Sequence, residues 1–155
     1  MSIRTLLVAA ALLLLTVAYF RPNSSPTKGP YAADLARTPG VVNPDVTQQN
    51  IASTICKQGW TRTIRPPTDY TNALKLKQMR QYGVGGSPSQ YQEDHLISLE
   101  LGGHPTDARN LWPEPYPRAS DMDSIENDLN AKVCSGAMSL DDAQRKESEL
   151  KHTDG

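Results

Sequence analysis

The chain has 155 residues, a formal net charge of −1, and 16 basic against 17 acidic residues. This length fits one small domain, and the near-neutral charge is not that of an obvious DNA-binding protein. Twelve prolines and ten glycines beside one Phe and two Trp indicate a loop-rich fold with a thin core. The sequence has no GxxxxGK loop, GxSxG elbow or CxxC pair, which argues against nucleotide hydrolysis, serine hydrolysis and thioredoxin-like exchange.

The first segment of the chain is apolar. Residues 5–20 follow Arg4 without a charge, and the run is shorter than the roughly 20 residues that span a bilayer comfortably. Residues 1–20 are therefore predicted to be a signal peptide, with an uncleaved N-terminal anchor as the alternative, and residues 21–38 a flexible linker. The protein is expected to be periplasmic or secreted, without stable membrane association once the signal is cleaved. The anchor alternative would tether it to the membrane.

The expected export bears on the oxidation state of the two cysteines. Cys56 and Cys134 are the only pair, and in an oxidising compartment an even number of cysteines indicates a disulfide. Such a bond would stabilise the fold by roughly 4 to 5 kcal/mol on the chain-entropy model. The alternative is two buried thiols.

Residues 39–145 are predicted to form the domain, and residues 146–155 a disordered tail. Residues 45–51 indicate a short helix or turn, and residues 60–65 alternate side chains as a strand does. Asp69 or Thr71 can cap a helix that runs to Tyr82 and ends at Gly83.

The second half is predicted to contain a strand and two helices. Residues 91–101 have apolar side chains at every second position near their end, which predicts one strand face with Ile97, Leu99 and Leu101. Residues 121–133 predict a helix with one apolar stripe, formed by Met122, Ile125, Leu129 and Val133. A last helix is expected to begin after the cap residue Ser139, and from Arg145 the chain is nearly all polar or charged.

The chemistry is concentrated in one motif. Asp94-His95 is followed by Gly102-Gly103 and then by Asn110-Leu111. An acid beside a histidine on a strand, followed by a turn and an Asn, can assemble a divalent-metal site with a general base directed into it. Hydrolysis of a phosphodiester bond needs this combination.

This order of residues resembles the HNH endonuclease signature. The resemblance implies a ββα-metal core, with His95 as the base that deprotonates water and Asp94 as a metal ligand. Asn110 would be a second ligand or the residue that fixes the loop. Ser120 stands at the third signature position, and the neighbouring Asp121 is the favoured replacement ligand, ahead of Asp123. The metal would be Mg²⁺, Mn²⁺, Ni²⁺ or Zn²⁺.

Residues 39–145 as a whole resemble a group of small exported bacterial proteins built around the same motif. The matching segments include a PGVVNPDVT stretch, an NLWPEP stretch and a VCSG stretch. The fold class expected from this resemblance is α+β, with a small HNH-like core, additional helices and one disulfide.

The charges are unevenly distributed along the chain. Residues 55–82 are rich in basic side chains and residues 91–129 in acidic ones. Cations can hold the phosphate backbone of a nucleic acid, and the candidates for that contact are Arg62, Arg65, Lys75 and Lys77. The alternative is that these charges are ordinary solvated helix faces.

Two functions follow from these observations. The first is an exported metal-dependent HNH-like nuclease that hydrolyses phosphodiester bonds in DNA or RNA. The second is a non-catalytic envelope or secreted binding protein that retains a degenerate HNH-like scaffold.

Overall fold

A computed structural model describes residues 32–153 of the chain. The predicted signal segment and residues 21–31 of the predicted linker lie outside this part. The described residues form an α+β fold, as expected, with one two-stranded antiparallel sheet and four α-helices. In chain order the elements are α1 (Trp60–Ile64), α2 (Thr68–Tyr82), β1 (Tyr91–His95), β2 (Leu111–Pro115), α3 (Arg118–Cys134) and α4 (Leu140–Thr153).

The sheet and the helix that follows it position the candidate motif. In the pairing of β1 with β2, Asp94 lies opposite Trp112 and His95 opposite Leu111. Helix α3 follows β2 almost at once and contacts both strands. Its buried side includes Met122, Leu129 and Val133, which confirms the apolar stripe predicted for this helix.

The apolar core is small and divided. One cluster joins the loop after β1 to α3 and α4, and includes Leu101, Leu129 and Leu140. A second cluster forms around Trp112 and Leu96. Because the core contains few apolar side chains, polar contacts are needed to fix the positions of the site residues.

The predicted disulfide is present. Cys56 and Cys134 are bonded, with their Cα atoms 5.6 Å apart. The bond ties the end of α3 to the segment that precedes α1. Two other predicted features are also confirmed: Gly83 ends α2 in the left-handed conformation, and the Ser139 hydroxyl accepts a hydrogen bond from the Asp142 N–H at the start of α4.

The strand predicted for residues 60–65 is wrong, because these residues form helix α1. Trp60 and Ile64, both half-buried, are four positions apart, a spacing that fits one face of a helix as well as it fits a strand. Gly59, with φ of 80°, turns the chain into the helix. Five residues are too few for periodicity to separate the two structures.

The strand predicted for residues 91–101 is too long. Strand β1 ends at His95, and Leu99–Leu101 form a 3-10 turn. The side chain of Asn110 bonds both the N–H and the C=O of Ile97, at 3.0 Å each, so these groups cannot continue the ladder. Gly103 closes the turn at a position where a Cβ would overlap the carbonyl oxygen of Ile97.

The predicted boundaries of the domain are also wrong at both ends. Helix α4 continues to Thr153, with Glu147 and Lys151 buried, so residues 146–153 are not a disordered tail. Residues 32–38 are not a free linker, because the Ala33 N–H donates to the Lys151 carbonyl at 2.8 Å and Thr38 is buried. The two ends of the described chain therefore pack together. Within residues 32–153 no helix is long and apolar enough to cross a membrane.

Candidate functional site

Asp94 and His95, the last two residues of β1, line a small polar cavity. Its volume is about 70 Å³, well below the roughly 300 to 1,000 Å³ of ordinary ligand pockets. Strand β1 supplies one wall and helix α3 another. The remaining lining residues are Arg65, Gln92, Ser98, Leu99, Glu100, Asp123 and Glu126.

The ring of His95 is held by one backbone carbonyl. Its Nε2 lies 3.0 Å from the Pro105 oxygen. A carbonyl oxygen only accepts hydrogen bonds, so Nε2 carries the proton, and in the neutral ring Nδ1 keeps the free lone pair. Burial lowers the pKa of His95, although the bond to Pro105 and the charge of Asp94 oppose that shift. His95 is therefore a neutral imidazole with a fixed tautomer near pH 7.

The carboxylate of Asp94 is bonded on both oxygens. Oδ2 accepts from the Lys151 ammonium at 2.7 Å, and Oδ1 accepts from the Gln92 amide at 3.2 Å. Burial disfavours the charged form, but the attraction of Lys151 outweighs it and holds the pKa of Asp94 at about 2. Asp94 is ionised and forms a buried ion pair.

Lys151 is completely buried, which is unusual for a lysine. Its ammonium donates to Asp94 Oδ2 at 2.7 Å, to Glu126 Oε1 at 2.7 Å and to the main-chain oxygen of His95 at 2.6 Å. Burial favours the neutral amine, but the surrounding carboxyl groups raise the pKa of Lys151 well above its ordinary value. One ammonium thus joins the motif strand β1, helix α3 and helix α4.

Three more carboxyl groups surround this ion pair. Burial, with the negative charge of Asp94, raises the pKa of Glu114 and of Glu126 to about 9. Burial also raises the pKa of Glu147 to about 7, and both its oxygens accept from the Ser98 N–H at 3.0 Å. A single ammonium cannot balance four buried carboxylates, so Asp94 keeps the charge while Glu114 and Glu126 hold protons.

Asn110 is fully occupied in fixing the loop between the strands. Its Oδ1 accepts from the N–H groups of Val41 at 3.2 Å and Ile97 at 3.0 Å. Its Nδ2 donates to the carbonyls of Ile97 at 3.0 Å and His104 at 3.1 Å. Both lone pairs of the amide oxygen are used. Asn110 has no lone pair left for a metal ion.

The predicted metal ligands Asp94, Asn110 and Asp121 do not form a common site. Asp121 is exposed and does not line the cavity, whereas Asp123, two positions further along α3, does. Among residues 32–153, no three His, Cys, Asp or Glu side chains gather in a way that could hold an ion. Because Asp94 and Asn110 are also bonded within the protein, this ligand set does not fit a divalent ion.

The four predicted nucleic-acid contacts have different surroundings in the structure. Arg65 lines the cavity, and Arg62 is exposed on the preceding helix α1. Lys75 donates to the Tyr91 carbonyl at 3.0 Å, so it supports β1. Lys77 lines a different groove of about 370 Å³ together with Arg37 and Arg109. Only Arg65 belongs to the cavity that contains His95.

The sequence reasoning missed Lys151 and its partner Glu147. A signal for both was present, because Leu140, Ala143, Glu147 and Lys151 follow one another at spacings of three and four and are all buried. The buried face of α4 thus changes from apolar to charged halfway along the helix. A prediction based on apolar periodicity therefore ends the helix where the buried charges begin.

Comparisons of the chain with known protein families, with characterised proteins and with solved structures give no match. The geometry of the site is therefore the basis on which the function is inferred.

Proposed function

We propose that this protein is an exported HNH-like nuclease that hydrolyses phosphodiester bonds in DNA or RNA, with His95 as the general base. The observation that carries this proposal is the bond from His95 Nε2 to the Pro105 carbonyl. It leaves Nδ1 as the basic nitrogen of a ring that burial keeps neutral. A base that is unprotonated near pH 7 can accept a proton from an attacking water.

The surroundings of His95 support the same reaction. The cavity, at about 70 Å³, is smaller than the roughly 300 to 1,000 Å³ of ordinary ligand pockets, so the scissile phosphate would lie at its mouth. Arg65, exposed there, would stabilise the charge that develops on the phosphate. The order β1–β2–α3, with the Asp-His pair at the end of β1, agrees with the ββα arrangement that the motif suggests.

The chemistry proposed here uses residues of the chain alone. Asp94, as an ion paired with Lys151, fixes the strand end that carries His95. The water oxygen forms a bond to phosphorus as Nδ1 of His95 takes the water proton, and the P–O bond to the leaving oxygen breaks. The leaving oxygen takes a proton from solvent, and Arg65 stabilises the negative charge on the phosphate. A divalent ion would have to bind through oxygens other than those predicted, because Asp94 and Asn110 are already engaged.

A second candidate function is a non-catalytic envelope or secreted binding protein on the same scaffold. The observation in its favour is that Asp94 and Asn110 make contacts that hold the fold together. In such a protein the Asp-His-Asn motif would be retained for structure. The two functions differ in whether His95 accelerates a reaction.

Cleavage assays on the oxidised full chain distinguish the two. Plasmid DNA, single-stranded DNA and single-stranded RNA would be incubated in EDTA and, separately, in Mg²⁺, Mn²⁺, Ni²⁺ or Zn²⁺. We expect cleavage that falls by about a hundred-fold or more in His95→Ala, the scale for loss of a general base. His152→Gln serves as the matched control, because His152 is half-buried outside the cavity and a Gln amide can still donate to the Thr38 carbonyl; this variant should keep the parent rate.

Equal cleavage by the parent and by His95→Ala would mean that the activity comes from another site or from a contaminant. No cleavage of any substrate by a folded parent protein would favour the binding protein.

A further inference from the structure

The cage of oxygen atoms around Lys151 resembles the ligand shell of a cation. Three acceptors, from Asp94, Glu126 and the His95 carbonyl, lie 2.6 to 2.7 Å from Nζ. A fourth oxygen, Oε1 of Glu147, lies at 3.6 Å. An ammonium has three N–H donors, so the three short bonds complete its hydrogen bonding.

We propose that the Lys151 ammonium is the built-in cation of this site, standing where a divalent ion would bind Asp94 and Glu126, so that the native chain binds no divalent ion there. A measurement of metal binding alone tests this proposal. Only its consequence, cleavage without a divalent ion, rests on the proposed function.

The shared oxygens are the first argument. A hard divalent ion binds carboxyl oxygens at about 2.0 to 2.6 Å, and Asp94 Oδ2 and Glu126 Oε1 are the two carboxyl oxygens to which Nζ donates. An ion that reached these oxygens would lie beside a positive charge and be repelled by it. The ammonium and the ion therefore exclude one another.

The immobility of Lys151 is the second argument. Its side chain has no exposed surface, and its main-chain oxygen accepts from the Ala33 N–H at 2.8 Å. Glu147, one turn earlier on α4, is tied to the Ser98 N–H. The lysine cannot swing into solvent and leave the carboxylates open without opening the end of α4.

Manganese binding to the full chain tests the proposal. Mn²⁺ would be titrated, with electron paramagnetic resonance detection of the free ion, into the parent, Lys151→Met and Lys146→Met. Lys146 is exposed on the same helix and controls for the loss of a lysine. We expect no specific Mn²⁺ site in the parent or in Lys146→Met. Lys151→Met should bind one ion at least about ten-fold more tightly, the scale of a ligand effect, and adding Asp94→Asn should remove the gain.

Two results would overturn the proposal. One is a parent protein that binds one Mn²⁺ and loses it on Asp94→Asn. The other is a folded Lys151→Met protein whose Mn²⁺ affinity equals that of the parent. Should Lys151→Met not fold, Lys151→Met combined with Glu147→Gln removes one buried charge and keeps an acceptor for Ser98. Should neither variant fold, the parent titration decides: an Asp94-dependent Mn²⁺ site overturns the proposal, and its absence supports it.

A cleavage arm separates this inference from the proposed function. We expect the parent to cut nucleic acid in EDTA as fast as in Mg²⁺. A loss of activity in EDTA that Mg²⁺ restores, together with a parent Mn²⁺ site that is lost on Asp94→Asn, would overturn the built-in cation. An absence of cleavage under all conditions would overturn the nuclease instead. The Mn²⁺ titrations would still test Lys151.

Discussion

His95 gives the site a direct dependence on pH. Burial lowers the pKa of its ring below the ordinary 6.5, and only the neutral ring can act as a base. We predict that kcat/KM for cleavage rises with pH and levels off, with a midpoint below 6.5. A pH–rate profile measures this midpoint, and NMR titration of the His95 ring measures it without activity. A midpoint above 7 would contradict the buried, neutral imidazole.

Asn110 is expected to contribute more to stability than any exposed polar residue. Asn110→Ala would leave the N–H groups of half-buried Val41 and buried Ile97 without their acceptor, and each buried unsatisfied group costs about 1 to 3 kcal/mol. We predict a loss of roughly 3 kcal/mol or more in the free energy of unfolding, measured by urea titration. The control is Asn127→Ala, where one exposed bond to the Asp123 carbonyl is lost and the change should stay within about 0.5 kcal/mol.

The buried carboxyl groups predict that alkali destabilises the fold. The pKa of Glu126 is about 9 in the folded protein against an ordinary 4.5, so the folded state holds a proton that the unfolded state has lost between these values. The stability contributed by this proton is complete below pH 4.5 and is lost as the pH rises towards 9. Asp94, with a pKa lowered to about 2 from 3.8, has the opposite effect and only below pH 4.

Urea titrations at pH 5, 7 and 9 should therefore show a free energy of unfolding that falls with pH. Glu126→Gln carries no ionisable proton at this position, so its decline should be shallower than that of the parent. The same slope in both proteins would show that Glu126 is not protonated in the folded state.

At the scale of the elements, a truncation within helix α4 tests how much residues 146–153 contribute to the stability of the domain. A chain that ends at Arg145 loses Glu147 and Lys151 and leaves Asp94 without its buried partner. Breaking a buried ion pair from one side typically costs 3 to 5 kcal/mol, so we predict a loss of at least about that size. Circular dichroism in urea measures it.

The matched control for this truncation is Arg145→Ala in the full-length chain. Arg145 forms ion pairs with Asp141 and Asp142 on the surface of α4, with 67% of its own side chain exposed. Exposed pairs contribute about 0 to 1 kcal/mol. A truncation no more destabilising than this substitution would mean that Lys151 does not organise the interior.

The elements also show which parts of the fold a sequence can predict. Helices α2 and α3 were predicted because each is long and has an end signal or an apolar stripe, such as Gly83 or Met122 and Leu129. Helix α1 was not predicted, since the spacing within its five residues fits the period of a helix as well as that of a strand. The second half of α4 was not either, because its buried positions carry charges.

The candidate site, too, could be predicted only in part. The Asp94-His95 pair is visible as a motif and was predicted on a strand, but the prediction continued that strand to residue 101, whereas the strand ends at His95. The partners that set its chemistry are far along the chain: Pro105 by 10 positions and Lys151 by 56 and 57. Such contacts depend on tertiary packing, which local periodicity does not contain.

In the whole molecule, the disulfide is the largest single constraint on the unfolded chain. It joins residues 78 positions apart, and the chain-entropy model gives roughly 4 to 5 kcal/mol for a loop of this length. We predict that Cys56→Ser with Cys134→Ser lowers the free energy of unfolding by about this amount, measured in urea. Dithiothreitol should destabilise the parent and leave the double variant unchanged. Two titratable thiols in the native protein would contradict the bond.

The position of Lys151 near the end of α4 has a consequence for the order of assembly. Polypeptides are made from the N-terminus onward, and 57 positions separate Asp94 from the ammonium that neutralises it. Until those residues have followed, the strand that carries His95 has an uncompensated acid beside it and cannot settle into the interior. The motif is made early, but its buried ion pair is complete only after nearly all of the described residues have been made.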